Sequence, residues 1–166
     1  MARTHTVVDA PLGPLTLVAE DGVLCGIYFP GHRHLPEPPP FGRRDDGGFD
    51  AAARQLAEYF ARERTAFDLE TAAAGNAFQR RVWARVAAIP YGETATYGAL
   101  ARELGGPSLA RAVGAANGRN PLSIVVPCHR VVGHDGRLAG YGGGLERKRR
   151  LLEHEGVVRS SRWPAP

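Results

Sequence analysis

The hydrophobic spacing of this 166-residue chain changes character once, and that change limits the folds open to it. Up to Phe29 the apolar residues come in short alternating runs, Thr6-Val7-Val8, Leu15–Ala19 and Val23–Phe29, separated by Pro11-Leu12-Gly13-Pro14 and Glu20-Asp21-Gly22. Such runs predict short strands joined by tight turns. From Phe49 onward apolar residues recur every three or four positions, which is the period of a helix laid on a core. Strands first and helices after predict an α+β chain. A small N-terminal α/β domain with a mainly antiparallel sheet, residues 1–74, precedes a mainly helical domain, residues 75–166. Thr71-Ala72-Ala73-Ala74-Gly75 is the joint.

Each helix has its own signals. Phe49, Ala53, Leu56, Tyr59 and Phe60 give one apolar stripe over Phe49–Arg64. The preceding Pro30–Gly48 is rich in proline, glycine and charge and predicts an exposed loop. Asn76 with Gln79 three residues on forms a capping-box pattern, followed by a stripe of Phe78, Val82, Trp83, Val86 and Ile89 that Pro90-Tyr91-Gly92 ends. Thr96 is placed to cap Tyr97–Leu104, with Leu100 and Leu104 inward, and Ser108 to cap a further helix ending near Gly118. Gly105-Gly106-Pro107 lies between them, so the pair has the length and turn of a helix-turn-helix, here of winged-helix-like kind. Gly144–Gly156 predicts the last helix, with Leu145, Leu151 and Leu152 buried and the basic run Arg147–Arg150 outside. The tail beyond Val158 is expected to fray.

Composition narrows the partners. Residues 1–75 carry 7 Lys+Arg and 11 Asp+Glu, a balance of −4, whereas residues 76–166 carry 14 and 6, a balance of +8. A basic second part points to a polyanion, nucleic acid first, although compositional bias toward arginine also yields positive charge. No apolar run approaches the roughly 20 residues of a membrane helix, and the first residues lack an apolar signal core, so the expected compartment is cytoplasmic. Two cysteines more than a hundred positions apart, Cys25 and Cys128, predict free thiols.

One helix face is unusual. At 100° per residue Leu109, Ala112, Val113 and Ala116 form the inner side of the second helix of the pair, leaving Ala110, Arg111, Gly114, Ala115 and Gly118 outside. Glycine costs roughly 1 kcal/mol relative to alanine in a helix, so two on one exposed face ask for a reason. A smooth face can approach a groove wall closely while the lone Arg111 reaches between bases.

The chemistry centres on Pro127-Cys128-His129-Arg130. A thiol is a weak nucleophile at neutral pH until its proton is taken, and an imidazole backed by a carboxylate can take it. With the apolar run Ser-Ile-Val-Val read as a strand, Cys128 and His129 point oppositely, and contact requires a bend at Pro127 or a bridging water. The water is the reading preferred, and Cys128 is expected to be ionised.

Arg111, Asn120-Pro121, Pro127-Cys128-His129-Arg130-Val131-Val132, Tyr141-Gly142-Gly143-Gly144-Leu145 and His154-Glu155-Gly156 occur in that order. In this the segment from about Phe78 to Gly156 closely resembles the active-site half of the O6-alkylguanine-DNA alkyltransferases. The resemblance implies a direct-reversal repair protein that moves the alkyl group of O6-alkylguanine in double-stranded DNA, with O4-alkylthymine as a second lesion, onto Cys128. His129 would act as base through water, Glu155 would orient the imidazole, and Asn120 would tie the recognition helix to the active-site strand. Tyr97 would donate to guanine N3. Arg111 would fill the gap left by the flipped base, with Ser108, Ala110, Gly114 and Ala115 along the groove. Tyr141, Gly142, Gly143 and Val131 would line the pocket. The expected protein is a nucleoid-associated monomer, able to cluster on DNA, that needs no cofactor and acts once, because a thioether is not undone by thiol exchange.

Two departures from the family pattern stand out. Some relatives hold zinc in the first domain; here Cys25 has only His5, His32 and His34 for company, and no metal is expected. Gly142 stands where some relatives have serine, and the glycine-rich wall is expected to leave room for alkyl groups larger than methyl. Three rival readings are weaker. A non-catalytic module that binds alkylated bases would lack Cys128. A major-groove regulator would want polar base-reading side chains where Ala110, Gly114 and Ala115 stand. A Cys-His hydrolase would leave Arg111 idle.

Overall fold

The structure is a computed structural model, and it describes residues 2–33, 35 and 41–157. Three strands, β1 (Arg3–Val8), β2 (Leu15–Glu20) and β3 (Val23–Tyr28), form an antiparallel meander. A two-residue strand, β4 (Arg43–Arg44), adds in parallel to β1 and gives the order β3-β2-β1-β4. The expected antiparallel sheet is there, with one parallel edge. His34, part of the Pro30–Gly48 loop and the tail from Val158 lie outside the described residues.

Helix α1 (Asp50–Phe60) is shorter than the Phe49–Arg64 expected, because Phe49 is its N-cap and Arg62 takes a left-handed φ of 63° just beyond its end. Its buried face is Ala52, Gln55, Leu56 and Tyr59. Gln55 is accommodated there because its side-chain amide pairs with the backbone of Asp68 in both directions.

Helix α2 (Ala77–Ala87) begins with the capping box of Asn76 and Gln79. Strand β5 (Ala95–Thr96) leads into α3 (Tyr97–Leu104), capped by Thr96 Oγ1, which accepts from the Ala99 amide at 3.0 Å. A 3₁₀ turn, Pro107–Leu109, then joins α3 to α4 (Ala110–Gly118). Ser108 lies within that turn and caps nothing; the chain enters α4 straight from the 3₁₀ turn, so no side-chain cap is made. Trp83 Nε1 donates to the Ala116 carbonyl at 2.8 Å and so pins α4 to α2. A second 3₁₀ turn, Cys128–Arg130, runs into β6 (Val131–Val132), which pairs in parallel with β5. Helix α5 (Leu145–His154) closes the described fold, with Gly144 before it and Glu155 as its C-cap.

One hydrophobic cluster runs through both halves of the chain, from Leu15, Leu17 and Ile27 through Leu56 and Tyr59 to Val82, Leu100, Val113, Leu122 and Leu151. Backbone pairing crosses too, the Ile27 amide donating to the Pro121 carbonyl at 2.8 Å. Among the described residues no helix is long and apolar enough to cross a membrane.

Candidate active site

Cys128 does not sit on a strand. Residues 121–127 form successive turns, with the Val126 amide bonded to the Leu122 carbonyl at 2.9 Å and the Cys128 amide to the Val126 carbonyl at 2.7 Å. Ile124 is held at φ 73° although it is 1% exposed, a left-handed conformation that strains a β-branched residue by about 1–3 kcal/mol. Tight local bonds and a packed core outweigh the extended preference of Ile-Val-Val. The argument from a strand, that neighbours must point oppositely, therefore lapses. Two asparagines hold the loop: Asn120 Nδ2 donates to Val126 O at 2.9 Å while its Oδ1 accepts from the Leu122 amide, and Asn117 Nδ2 on α4 donates to the Cys128 carbonyl at 3.2 Å.

Cys128 is buried, at 4% exposure. Burial pushes the Cys128 thiol up, against the smaller pull of the Asn120 side chain, of Lys148 and of its own and the His129 backbone N–H groups. The resting group is thus a protonated thiol, not the ionised sulfur expected, and its proton must leave as the reaction proceeds.

His129 is fully buried, with Nε2 2.7 Å from Glu155 Oε2. Its Nδ1 is buried and makes no hydrogen bond to the protein. Glu155 accepts further from Arg130 Nε at 2.8 Å, Arg130 Nη2 at 3.0 Å and the Tyr59 hydroxyl at 2.6 Å. Burial alone would raise this carboxyl, but the hydrogen bonds from His129 and Arg130 and the Arg130 charge hold it well below the usual carboxylate range. Burial lowers His129, and the positive Arg130 and Lys148 add to that against the pull of Glu155, so the imidazole rests neutral. A carboxylate is only an acceptor, so Nε2 carries the proton and Nδ1 is the basic atom.

Lys148 corrects the reading of the basic run as an outer face. Its ammonium is fully buried and donates to the carbonyls of Val131, Ala139 at 3.1 Å and Gly140 at 2.9 Å. Burial brings it down to about 8, and the nearby sulfur opposes that shift. Arg147 is half-buried, donating to the Leu12, Pro30 and Gly143 carbonyls and covering the Phe29 ring at 4.9 Å. Arg149 is buried between Glu146 and Glu153. Leu145, expected inside, is 37% exposed because it stands at the first turn of α5, before the helix meets the core.

Tyr97 lies at the start of α3 with its hydroxyl donating to the Ala139 carbonyl. Burial, and then the nearby sulfur, push the phenol up to about 12, so it is a proton donor at neutral pH. Tyr141 is buried with an unbonded hydroxyl, and the same two causes raise it well above its ordinary value. Val131 is fully buried and belongs to β6.

Beside these groups a groove of about 370 Å³ is lined by Tyr97, Ala110, Arg111, Gly114, Ala139 and Gly140. Arg111 and Ala115 are exposed, and so is Ala112, which the 100° plot placed inside. A methyl group added at Gly114 would meet the Tyr97 ring at 3.7 Å, an ordinary contact, so packing within the protein does not demand glycine there. Gly142 and Gly143 are different. A Cβ on Gly142 would fall 2.5 Å from His32 Nε2, and one on Gly143 would fall 2.7 Å from Phe29 Cδ2. Side chains from the first half already fill the space beside these glycines, so they do not enlarge the pocket on that side.

Among the described residues no three His, Cys, Asp or Glu side chains converge to hold a metal ion. His5 pairs with the Gly42 carbonyl, and Cys25 lies near Arg3 and Glu20. Sequence reasoning passed over Tyr59, Asn117, Arg130 and Lys148. Lys148 carried a signal, because 148, 151, 152 and 155 follow the i, i+3, i+4, i+7 stripe on which Leu151 and Leu152 are buried.

The chain was compared with known proteins. A family model described as 6-O-methylguanine DNA methyltransferase, DNA binding domain, matches residues 77–157, and one described as the ribonuclease-like domain of the same methyltransferase matches residues 4–73. A methylated-DNA–protein-cysteine methyltransferase of Mycobacterium bovis is 48% identical over 97% of this chain and 94% of its own length. One from Methanosarcina acetivorans is 43% identical over 92% and 97%. The crystal structure of Mycobacterium tuberculosis OGT in complex with DNA superimposes with a TM-score of 0.87 at 48% identity, covering 92% of this chain and 93% of that one.

Proposed function

Because the chain belongs to the 6-O-methylguanine DNA methyltransferase family, we propose that it repairs alkylated DNA by taking the alkyl group of O6-alkylguanine onto Cys128. The observation that carries this assignment is the pairing of a buried thiol with a neutral imidazole in the same turn, its Nε2 committed to Glu155 and its Nδ1 unbonded.

Nδ1 of His129, through a water, accepts the Cys128 proton as the sulfur attacks the alkyl carbon. The sulfur–carbon bond forms as the carbon–O6 bond breaks, and the departing purine takes up a proton in place of the alkyl group. Lys148 and the backbone N–H groups at the sulfur favour the thiolate as it develops. Asn120 and Asn117 keep the loop in register with α4. Tyr97 donates to the purine after releasing Ala139, and Tyr141 and Val131 contribute to the pocket wall. A thioether is not reversed by thiol exchange or ordinary hydrolysis, so each molecule acts once and needs no cofactor.

On this reading residues 1–74 form the first domain and residues 75–166 the DNA-binding and alkyl-acceptor domain. The target atom lies inside a duplex, so the base is flipped out toward the groove beside Tyr97, and Arg111 takes its place in the stack. Ser108, Ala110, Gly114 and Ala115 meet the minor-groove wall, where a surface free of bulk allows close approach. Phosphate contacts make the binding weakly sequence-dependent and sensitive to salt. The protein works as a nucleoid-associated monomer. Intact mass after incubation with methylated duplex tests the reaction: the protein gains one methylene, mapped to Cys128, and Cys128→Ser gains none. A modified protein with the group on any other residue would overturn the assignment.

A further inference from the structure

Among the described residues, the first half of the chain hydrogen-bonds the Glu155 carboxylate through one side chain. Tyr59, on α1, is fully buried and donates its hydroxyl to Glu155 Oε2 at 2.6 Å across 96 positions of sequence. The ring is boxed by Phe60 with centroids 5.1 Å apart, Phe67 at 5.6 Å, Tyr91 at 6.2 Å and His154 at 5.0 Å. A tyrosine needed only for bulk would be as well served by phenylalanine, whereas this hydroxyl meets the oxygen that His129 also uses.

Glu155 is the C-cap of α5 and stands at the negative end of that helix, where an anion is disfavoured. Among the described residues its charge is held by hydrogen-bond donors and by the Arg130 cation: Tyr59, His129 and Arg130 Nη2 at Oε2, and Arg130 Nε at Oε1. Donors that share one oxygen compete for its electron density, so each weakens the others' hold. Resting on the alkyl-transfer reading, we propose that Tyr59 is a positioning residue for that reaction: by sharing Oε2 with His129 it limits the carboxylate's pull on the imidazole and keeps that ring neutral and ready as a base.

The groups facing this pair are few enough to name. Glu155 meets Tyr59 from α1, Tyr91 from the segment after α2, and His129 and Arg130 from the reactive turn. His129 meets Glu155, Arg130 and Lys148, with the Tyr141 ring at 6.5 Å and Cys128 next in sequence. His154 is engaged with the Tyr59 carbonyl at 2.9 Å. Apart from Tyr59, removing any of these charged or reacting partners would disturb the reaction directly, so Tyr59→Phe is the informative change.

The experiment measures single-turnover methyl transfer from methylated duplex against pH for the full chain and for Tyr59→Phe, with the His129 ring followed by nitrogen-15 resonance in both. Without the phenol the carboxylate pulls harder on His129, so both the acid limb of the rate profile and the His129 titration move to higher pH, on the order of one unit or tenfold in proton affinity. Unchanged profile and resonance would overturn the proposal. So would a uniform loss of rate at every pH with the limb in place, the mark of a structural role alone. Should Tyr59→Phe fail to fold, site-specific 3-fluorotyrosine at position 59 supplies a stronger donor and must move both readouts to lower pH; an unshifted pair sinks the idea. If the parent protein takes up no methyl group, the reaction assignment fails, and the resonance still decides the part played by Tyr59.

Discussion

Asn117, on the last turn of α4, holds the backbone carbonyl of Cys128 with its side-chain amide at 3.2 Å. The helix with the smooth face and the backbone of Cys128 are therefore one hydrogen bond apart. Asn117→Ala removes one of the two donors to that carbonyl, leaving the Val131 amide, and should cost about 0.5–1.5 kcal/mol of stability. It should also slow methyl transfer from duplex on the order of tenfold, because the loop loses its register with the helix. Thermal melting and single-turnover rates check the two effects separately.

Lys148→Met should be costlier. The substitution keeps the apolar stem but removes the ammonium shared by the Val131, Ala139 and Gly140 carbonyls, leaving Ala139 with the Tyr97 hydroxyl. A loss of about 3 kcal/mol is expected in urea denaturation. The charge that favours the Cys128 thiolate goes with it, so the pH at which iodoacetamide begins to label Cys128 should rise. Labelling at the same pH as the parent would remove Lys148 from the electrostatics of the sulfur.

Arg111 is exposed on the outer face of α4 and makes no ion pair among the described residues. Arg111→Ala should slow repair in duplex DNA more than tenfold while leaving reaction with the free alkylated base little changed. Equal losses on both substrates would take Arg111 out of base flipping.

Acid should destabilise the protein in a defined order. His129 is lowered in the fold, so its neutral form contributes stability above the unfolded histidine value of about 6.5, and that contribution is lost as pH falls toward the folded value. Glu155 is lowered as well, and its contribution is lost at still lower pH, below the unfolded carboxylate value of about 4.3. Thermal midpoints measured from pH 8 to pH 2 should fall in two steps, and His129→Asn should flatten the upper one.

Gly142→Ser restores the side chain that some relatives carry, but its Cβ would stand 2.5 Å from His32 Nε2. Unless His32 shifts, overpacking should cost about 1–3 kcal/mol. His32→Ala should relieve most of it, and the double-mutant cycle by chemical denaturation gives the coupling.

The reactive triad was legible because Cys128 and His129 are adjacent and Glu155 closes a motif whose order and spacing are distinctive. Capping boxes and helix stripes were legible because they are local, as the caps of Asn76 and Thr96 show. What the sequence hid was set by tertiary partners. Nothing near Tyr59 marks its hydroxyl as bound for residue 155, and Lys148 looks like one more exposed cation until its carbonyl partners are assembled around it. The Ser-Ile-Val-Val run misled because β-branched composition favours a strand, whereas the left-handed Ile124 and the bonds of residues 122–128 coil it into turns.

The ladder that pairs Ala95 with Val131 and Thr96 with Val132 is only two residues long. It fastens the residue before Tyr97 to the chain just beyond His129 and Arg130, so neither segment can come loose without the other. Their amides are expected to exchange with solvent together, as one opening unit. Fraying that reached α3 would displace Tyr97 and the turn of Cys128 and His129 in a single event.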